Sequence, residues 1–313
     1  MDRILIIGAG GQIGGELTIA LRQVYGHQNV IATDIRDEPE LLRSQSEGPF
    51  FNLDATDAKA VAALIQKEKI TQVYLLAAIL SAVGEKKPLW AWNINMTCLL
   101  DLLETCKNSG VKKFYWPSSI AAFGPNTPKQ NTPRHTIMEP TTVYGISKFA
   151  GELWCQYYFQ KYGLDVRSIR YPGLISWKSL PGGGTTDYAI DIFHKALEEG
   201  RYTCFLSENT YLPMMYMNDA IRGTIELMEA PAEKIHNRMA YNLSAMSFSP
   251  KELAAEIKLH IPDFNIDYQP DFRQQIADSW PQSINDEDAR RDWGWQPEFD
   301  IKAMTRDMIS NLR

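Results

Sequence analysis

The first half of the chain alternates short, continuously apolar runs with longer amphipathic ones. Ile4–Ile7, Val30–Thr33, Phe50–Leu53, Val73–Leu76, Phe114–Trp116 and Val166–Ile169 read as strands. Between them, Ile13–Val24, Ala58–Lys67, Leu89–Lys107 and Val143–Tyr162 carry apolar residues at helical spacing. A continuously apolar strand needs cover on both faces, and alternating helices supply it through right-handed crossovers. The pattern predicts an α/β fold built on a doubly wound parallel sheet, the Rossmann arrangement.

The rhythm changes after Tyr171-Pro172-Gly173. A glycine-rich loop, Pro181 to Thr186, runs into a helix over Asp187–Glu198, with Thr186 or Asp187 as its N-cap. A second helix covers Asn218–Met228, and Ser249-Pro250 opens a third, Ser249 capping and Pro250 in the first turn. Two parts are expected: residues 1–172 binding a nucleotide, and a smaller substrate-binding part, 173–313, closing over it with segments free to return to the first.

Composition narrows the class. With 32 Lys+Arg against 38 Asp+Glu the net charge is −6, which disfavours a non-specific nucleic-acid binder. A hydrophobic fraction of 44% with 22% charged residues is that of a globular protein. No apolar run reaches the roughly 20 residues of a membrane helix, and a strand pattern begins at Ile4, so a soluble, cytoplasmic protein is expected. Cys98, Cys106, Cys155 and Cys204 show no metal-ligand spacing and the five histidines are dispersed, so no metal is expected.

Gly8-Ala9-Gly10-Gly11-Gln12-Ile13-Gly14 follows the first strand and opens a helix. Small residues there permit a tight turn and let the backbone approach a pyrophosphate at the helix N-terminus. Such a loop alone is weak evidence, but Asp34 ends the second strand 20 residues beyond Gly14, where an acid accepts ribose hydroxyls. That acid favours NAD over NADP, while Arg36, just past Ile35, leaves a 2′-phosphate a partner. Leu53-Asp54, after the third strand, are placed to flank the adenine.

Tyr144 and Lys148 lie four apart on a predicted helix and so point the same way. A phenol of ordinary pKa near 10 is a poor base at neutral pH, but a nearby ammonium favours the phenolate. Tyr144 is then fit to take a proton from a substrate hydroxyl as hydride leaves the same carbon. Upstream, Trp116-Pro117-Ser118-Ser119 is read as the end of the fifth strand, at the sheet edge where ligands of this fold bind, which gives Ser119 a hydroxyl to offer the reacting oxygen.

These residues, with Leu75-Leu76-Ala77-Ala78, Asn93-Ile94-Asn95, Ser118 to Gly124 and Arg170 to Gly173, make the chain similar over its whole length to the extended short-chain dehydrogenase/reductase family. The resemblance implies Ser119 as the polarising hydroxyl, Tyr144 as acid/base, and Lys148 as ribose ligand and promoter of Tyr144. It also implies Leu76, Ala77, Ala78 and Asn95 along the cofactor and Tyr171-Pro172 beside the nicotinamide. Phe123 and Tyr171-Pro172 depart from the usual Tyr before Gly124 and the usual Asn after Arg170, at positions that do no chemistry.

Within that family, the segments Ala77 to Ser81, Pro181 to Tyr188 and Ala277 to Pro281 resemble the branch that oxidises L-threonine at C3. That resemblance implies Ser81, Gly184, Thr185 and Thr186 on the amino acid and Trp280 as an apolar lid excluding water. Lys178, Arg201, Arg222 and Arg273 are scattered, which counts against the alternative, a uridine-diphosphate-sugar epimerase or dehydratase. A nucleotide sensor on a redox fold is a third reading, disfavoured by the intact Ser119, Tyr144 and Lys148. The family pairs its two long helices between subunits, implying a homodimer with Trp154, Tyr157 or Tyr158 at the contact.

Overall fold

A computed structural model describes residues 2–313. The chain begins with β1 (Ile4–Ile7), α1 (Gln12–Tyr25), β2 (Val30–Asp34), α2 (Glu40–Gln45), β3 (Phe50–Asn52), α3 (Ala58–Lys67) and β4 (Gln72–Leu75). It continues through α4 (Ser81–Gly84), α5 (Pro88–Asn108), β5 (Lys113–Tyr115), β6 (Ser118–Ser119), α6 (Val143–Tyr162), β7 (Asp165–Arg167) and β8 (Ile169–Tyr171). Six strands form one parallel sheet in the order β3-β2-β1-β4-β5-β7. Every residue of β1 and β2 is buried, as strands covered on both faces must be.

Local chemistry sets the helix bounds. The Asp57 carboxylate accepts from Ala60 N–H to start α3, and the Thr142 hydroxyl accepts from Gly145 N–H to start α6. Gly163, at φ 70°, ends α6 in the left-handed conformation.

Two expectations change. Ser118-Ser119 does not end the fifth strand: Pro117 has no N–H to continue the ladder, and β6 leaves to pair with β8 in a second sheet, β12-β8-β6. The run expected as Val166–Ile169 splits likewise, β7 staying in the central sheet and β8 joining β6.

The second half carries β9 (Gly173–Ile175), α7 (Tyr188–Glu198), β10 (Arg201–Cys204), β11 (Leu212–Tyr216), α8 (Met217–Glu229), β12 (Tyr241–Asn242) and β13 (Met246–Phe248). Then come α9 (Pro250–Lys258), β14 (Asn265–Tyr268), α10 (Arg273–Ser279), α11 (Glu287–Trp293) and α12 (Ile301–Leu312). Ser249 and Glu252 form a capping box at α9, with Pro250 in its first turn. Asp187 holds the N-cap position of α7 but does not cap it: its carboxylate turns back to accept from Gly183 and Gly184 N–H, both at 2.7 Å.

Three apolar clusters form the core. One packs α3, α5 and α6 on one face of the sheet. The second joins β1, β2 and α1 to α8, β12 and Trp295, so the chain crosses back past residue 172. The third gathers α7, β11, α9 and α12 around Ile120, Ala121 and Phe123, just beyond Ser119. Among the described residues, no helix is long and apolar enough to cross a membrane.

Candidate active site

The ends of β1, β2 and β4 border a cavity of 640 Å³ lined by Gly8, Gly11, Asp34, Leu53, Asp54 and Ala77, among others. It adjoins a smaller one of 160 Å³ that shares Leu76 and Ala78 with it and holds Ser119, Tyr144 and Lys148.

The glycine loop is shaped by close approach. Gly8 sits at φ +97°, and a Cβ there would stand 2.5 Å from Ala77 N. A Cβ on Gly14 would meet Gly8 O at 2.1 Å, so Gly14 lets α1 pack on the turn and does not itself line the cavity. α1 begins without a side-chain cap or an acid in its first turn, and the buried Gln12 Nε2 has no partner. Free helix N–H groups and an unmatched amide donor suit an anionic pyrophosphate.

Asp34 Oδ2 accepts from Gly10 N–H at 2.7 Å, and Oδ1 accepts from Arg36 N–H at 3.1 Å and Nε at 3.0 Å. Burial alone would raise this carboxyl, but the Arg36 and Gly10 donors outweigh it and hold it below the ordinary value. Arg36 is thus tied to Asp34 through Nε, while its side chain stays 68% exposed. Ile35 and Arg36 line the larger cavity beside Asp34. The residues present therefore fit a dinucleotide whose ribose hydroxyls meet a carboxylate.

Trp90, Ile94 and Cys98 also line that cavity, one turn apart along α5. Their i, i+4, i+8 spacing was the signal for them in the sequence. Asn95 is not on either cavity. Its Oδ1 accepts from Ile79 N–H at 2.8 Å and its Nδ2 donates to Ile79 O at 3.1 Å, so it holds a lining residue in place.

In the smaller cavity α6 presses tightly on the turn after Ser119: a Cβ on Gly145 would stand 2.1 Å from Ala121 O. Lys148 Nζ donates to Pro117 O at 2.5 Å and lies 5.4 Å from the centroid of the Tyr144 ring. Burial pushes Tyr144 up to about 12, the Ser119 hydroxyl drawing it partway back. Burial also pulls Lys148 down to about 7, with Cys155 and Glu152 opposing. Ile13 and Tyr171 line this cavity too, while the Tyr171 hydroxyl accepts from Tyr115 at 2.7 Å and meets Thr224.

Ser81, Gly184, Thr185, Thr186 and Trp280 all border the same cavity. Thr185 Oγ1 is buried without a partner. Trp280, expected as an apolar lid, is 6% exposed and belongs to the third apolar cluster, so it is a packed wall of the cavity. Among the described residues, Asp187, expected only as a cap, is the one acidic side chain on this cavity and Lys148 the one cationic side chain. Burial raises the Asp187 carboxyl against the pull of the glycine N–H groups.

The sequence pattern of the NAD dependent epimerase/dehydratase family matches residues 4–244. The chain belongs to this family. An uncharacterized epimerase/dehydratase of Staphylococcus haemolyticus is 51% identical over 313 residues, 100% of this chain and 98% of its own. The holo form of a GalE-like L-threonine dehydrogenase from Cupriavidus necator is 56% identical with a TM-score of 0.97, covering 100% of both chains. A monomeric L-threonine 3-dehydrogenase from a metagenome, in apo form, is 52% identical with a TM-score of 0.94 over 99% of this chain and 98% of that one. Within the family, NAD dependence accords with the carboxylate of Asp34 and the uncapped helix behind the glycine loop.

Proposed function

We propose that this chain oxidises the C3 hydroxyl of L-threonine with NAD, giving 2-amino-3-oxobutyrate. The observation that carries the reading is the likeness, over the entire length, to L-threonine dehydrogenases. When bound, NAD supplies the hydride acceptor and, in its oxidised form, a positive charge. Gly8, Gly11, Gln12, Ile13 and the start of α1 would hold its pyrophosphate, Asp34 its adenosine ribose, and Leu53 and Asp54 its adenine. Lys148 would hold the second ribose, with Leu76, Ala77, Ala78 and Tyr171 along the nicotinamide side.

Tyr144 takes the hydroxyl proton while Ser119 hydrogen-bonds the same oxygen. Burial alone disfavours charge on both Tyr144 and Lys148, but a phenolate beside an ammonium relieves both groups at once. Ser81, Thr185 and Thr186 offer hydroxyl donors to the amino-acid carboxylate, while Gly184, through its N–H, holds Asp187 where its charge can meet the ammonium. A cavity of 160 Å³ is below the ~300–1,000 Å³ of pockets for drug-sized ligands, which favours a small amino acid over a uridine-diphosphate sugar.

The test is NADH formation by chelator-treated protein with NAD and L-threonine, beside D-threonine and L-allo-threonine. Turnover with L-threonine alone, undiminished by the chelator, is the expected result. No turnover with any of the three overturns the reading, and UDP-glucose is the next substrate to try.

We infer a homodimer through α5 and α6, because Trp154 (41% exposed) and Tyr157 (40%) stand together on the outer face of α6. Tyr158 is not part of that face: it is 7% exposed and donates to Glu104 at 3.0 Å. Sedimentation velocity separates this assembly from the monomer described for one structural neighbour. All four cysteines are free and buried, which suits the reducing cytoplasm where we place the enzyme.

A further inference from the structure

Trp280 lines the catalytic cavity and also a separate hollow of 270 Å³ that includes Lys129, Gln274 and Asp278. Its position is set from a distance in sequence. Lys129 Nζ donates to the backbone carbonyl of Asp278 at 2.8 Å and to that of Trp280 at 3.2 Å. These are the carbonyls that the end of α10 leaves without helical partners. Among the described residues no carboxylate forms an ion pair with Lys129, so its ammonium is directed at these two oxygens.

The grip extends along the backbone. The Lys129 carbonyl accepts from Gln282 N–H at 2.8 Å and Ser283 N–H at 3.1 Å. Thr132 N–H donates to Ser283 O and the Thr132 carbonyl accepts in turn from Asn285 N–H, forming a parallel bridge between Thr132 and Ile284. Asn131 N–H donates to Ser283 Oγ at 2.8 Å. Pro128, Pro133 and Pro281 restrict both partners. This strap, residues 129–132, lies in the connection between Ser119 and Tyr144. One loop thus joins the two proton-handling residues and fixes a wall of the cavity they serve.

We propose that Lys129 is a positioning residue for substrate selection: by clamping the end of α10 it holds Trp280 as a fixed gauge of substrate size. The inference rests on the L-threonine reading. A rigid indole leaves room for the methyl group of threonine and excludes a longer chain at that carbon. A wall free to retreat would admit it.

The test compares wild type, Lys129→Met and Lys129→Arg, using L-threonine and L-3-hydroxynorvaline, which is longer by one methylene. In Lys129→Met the preference for threonine in kcat/KM is expected to narrow about tenfold, the scale at which a pocket senses one methylene. The change should fall mainly on KM for threonine, with KM for NAD unaltered, and Lys129→Arg should restore the preference. Amide hydrogen exchange over residues 277–285, measured without substrate or cofactor, should accelerate in Lys129→Met and not in Lys129→Arg. Unchanged exchange overturns the clamp, and faster exchange with an unchanged preference overturns its role in selection. If wild type ignores L-threonine the functional reading fails, while the exchange measurement still decides the clamp.

Discussion

The two adjoining cavities are built on opposite electrostatic terms. In the larger, the Asp34 carboxylate is satisfied: three donors from Gly10 and Arg36 hold it ionised, and most of its surroundings are aliphatic side chain or backbone. In the smaller, Tyr144, Lys148 and Asp187 are each displaced by burial towards their neutral forms. Satisfied groups bind without reacting, because nothing is gained by moving a proton. Groups that burial displaces towards their neutral forms give up or take a proton when a charged partner arrives, which is what acid–base chemistry needs. The difference separates a surface that recognises from one that reacts.

The sharpest break would come from Tyr144→Phe. Turnover should fall about a hundred- to ten-thousandfold, the usual reach of a general base, while NAD affinity from fluorescence titration stays the same. A mutant that keeps most of its kcat would move the proton transfer elsewhere. Asp34→Ala acts on the other cavity. It should raise KM for NAD by about tenfold and narrow the gap to NADP, in line with charged hydrogen bonds of ~1.5–3 kcal/mol, while kcat at saturating NAD is kept. A loss of kcat instead would mean that the two cavities are not separable.

The smallest effect concerns stability. Lys148 titrates near 7 in the folded protein and near its ordinary 10.5 when unfolded. Below pH 7 both states are protonated and folding bears the full cost of a buried ammonium; above about 10.5 neither is, and the cost is gone. Lys148→Met should therefore gain Tm over wild type most at pH 6, by about 2–4 °C per kcal/mol relieved, the gain shrinking as pH rises towards 10. A gap independent of pH would show that the ammonium is not held at a cost.

Much of this was legible along the chain, and for local reasons. α3 and α6 have the bounds their caps announce, because Asp57, Thr142 and Gly163 act on backbone groups within a turn of themselves. The glycine loop and Asp34 were readable because strand, turn and helix follow in order. The departures involve partners far apart in sequence. Ser118-Ser119 pairs with Arg170-Tyr171, 52 residues on, and nothing local distinguishes that pairing from the end of β5. Asn95 carries a family position, yet its amide is used up by Ile79. Asp187 looks like a cap, and only the folded loop turns its carboxylate towards Gly183 and Gly184. α10 and α11, of seven residues each, are too short for a periodic signal.

Trp295 is fully buried in the cluster that contains Ile4 and Ile6 of the first strand. During synthesis those strand residues emerge long before the indole that belongs to the same cluster. That cluster of the amino-terminal sheet is complete only once Trp295 has left the ribosome. Excising the nucleotide-binding half would therefore divide one apolar cluster between two pieces. A carboxy-terminal truncation before Trp295 would expose the same cluster permanently, and the product should accumulate as aggregate instead of as a smaller dinucleotide-binding protein.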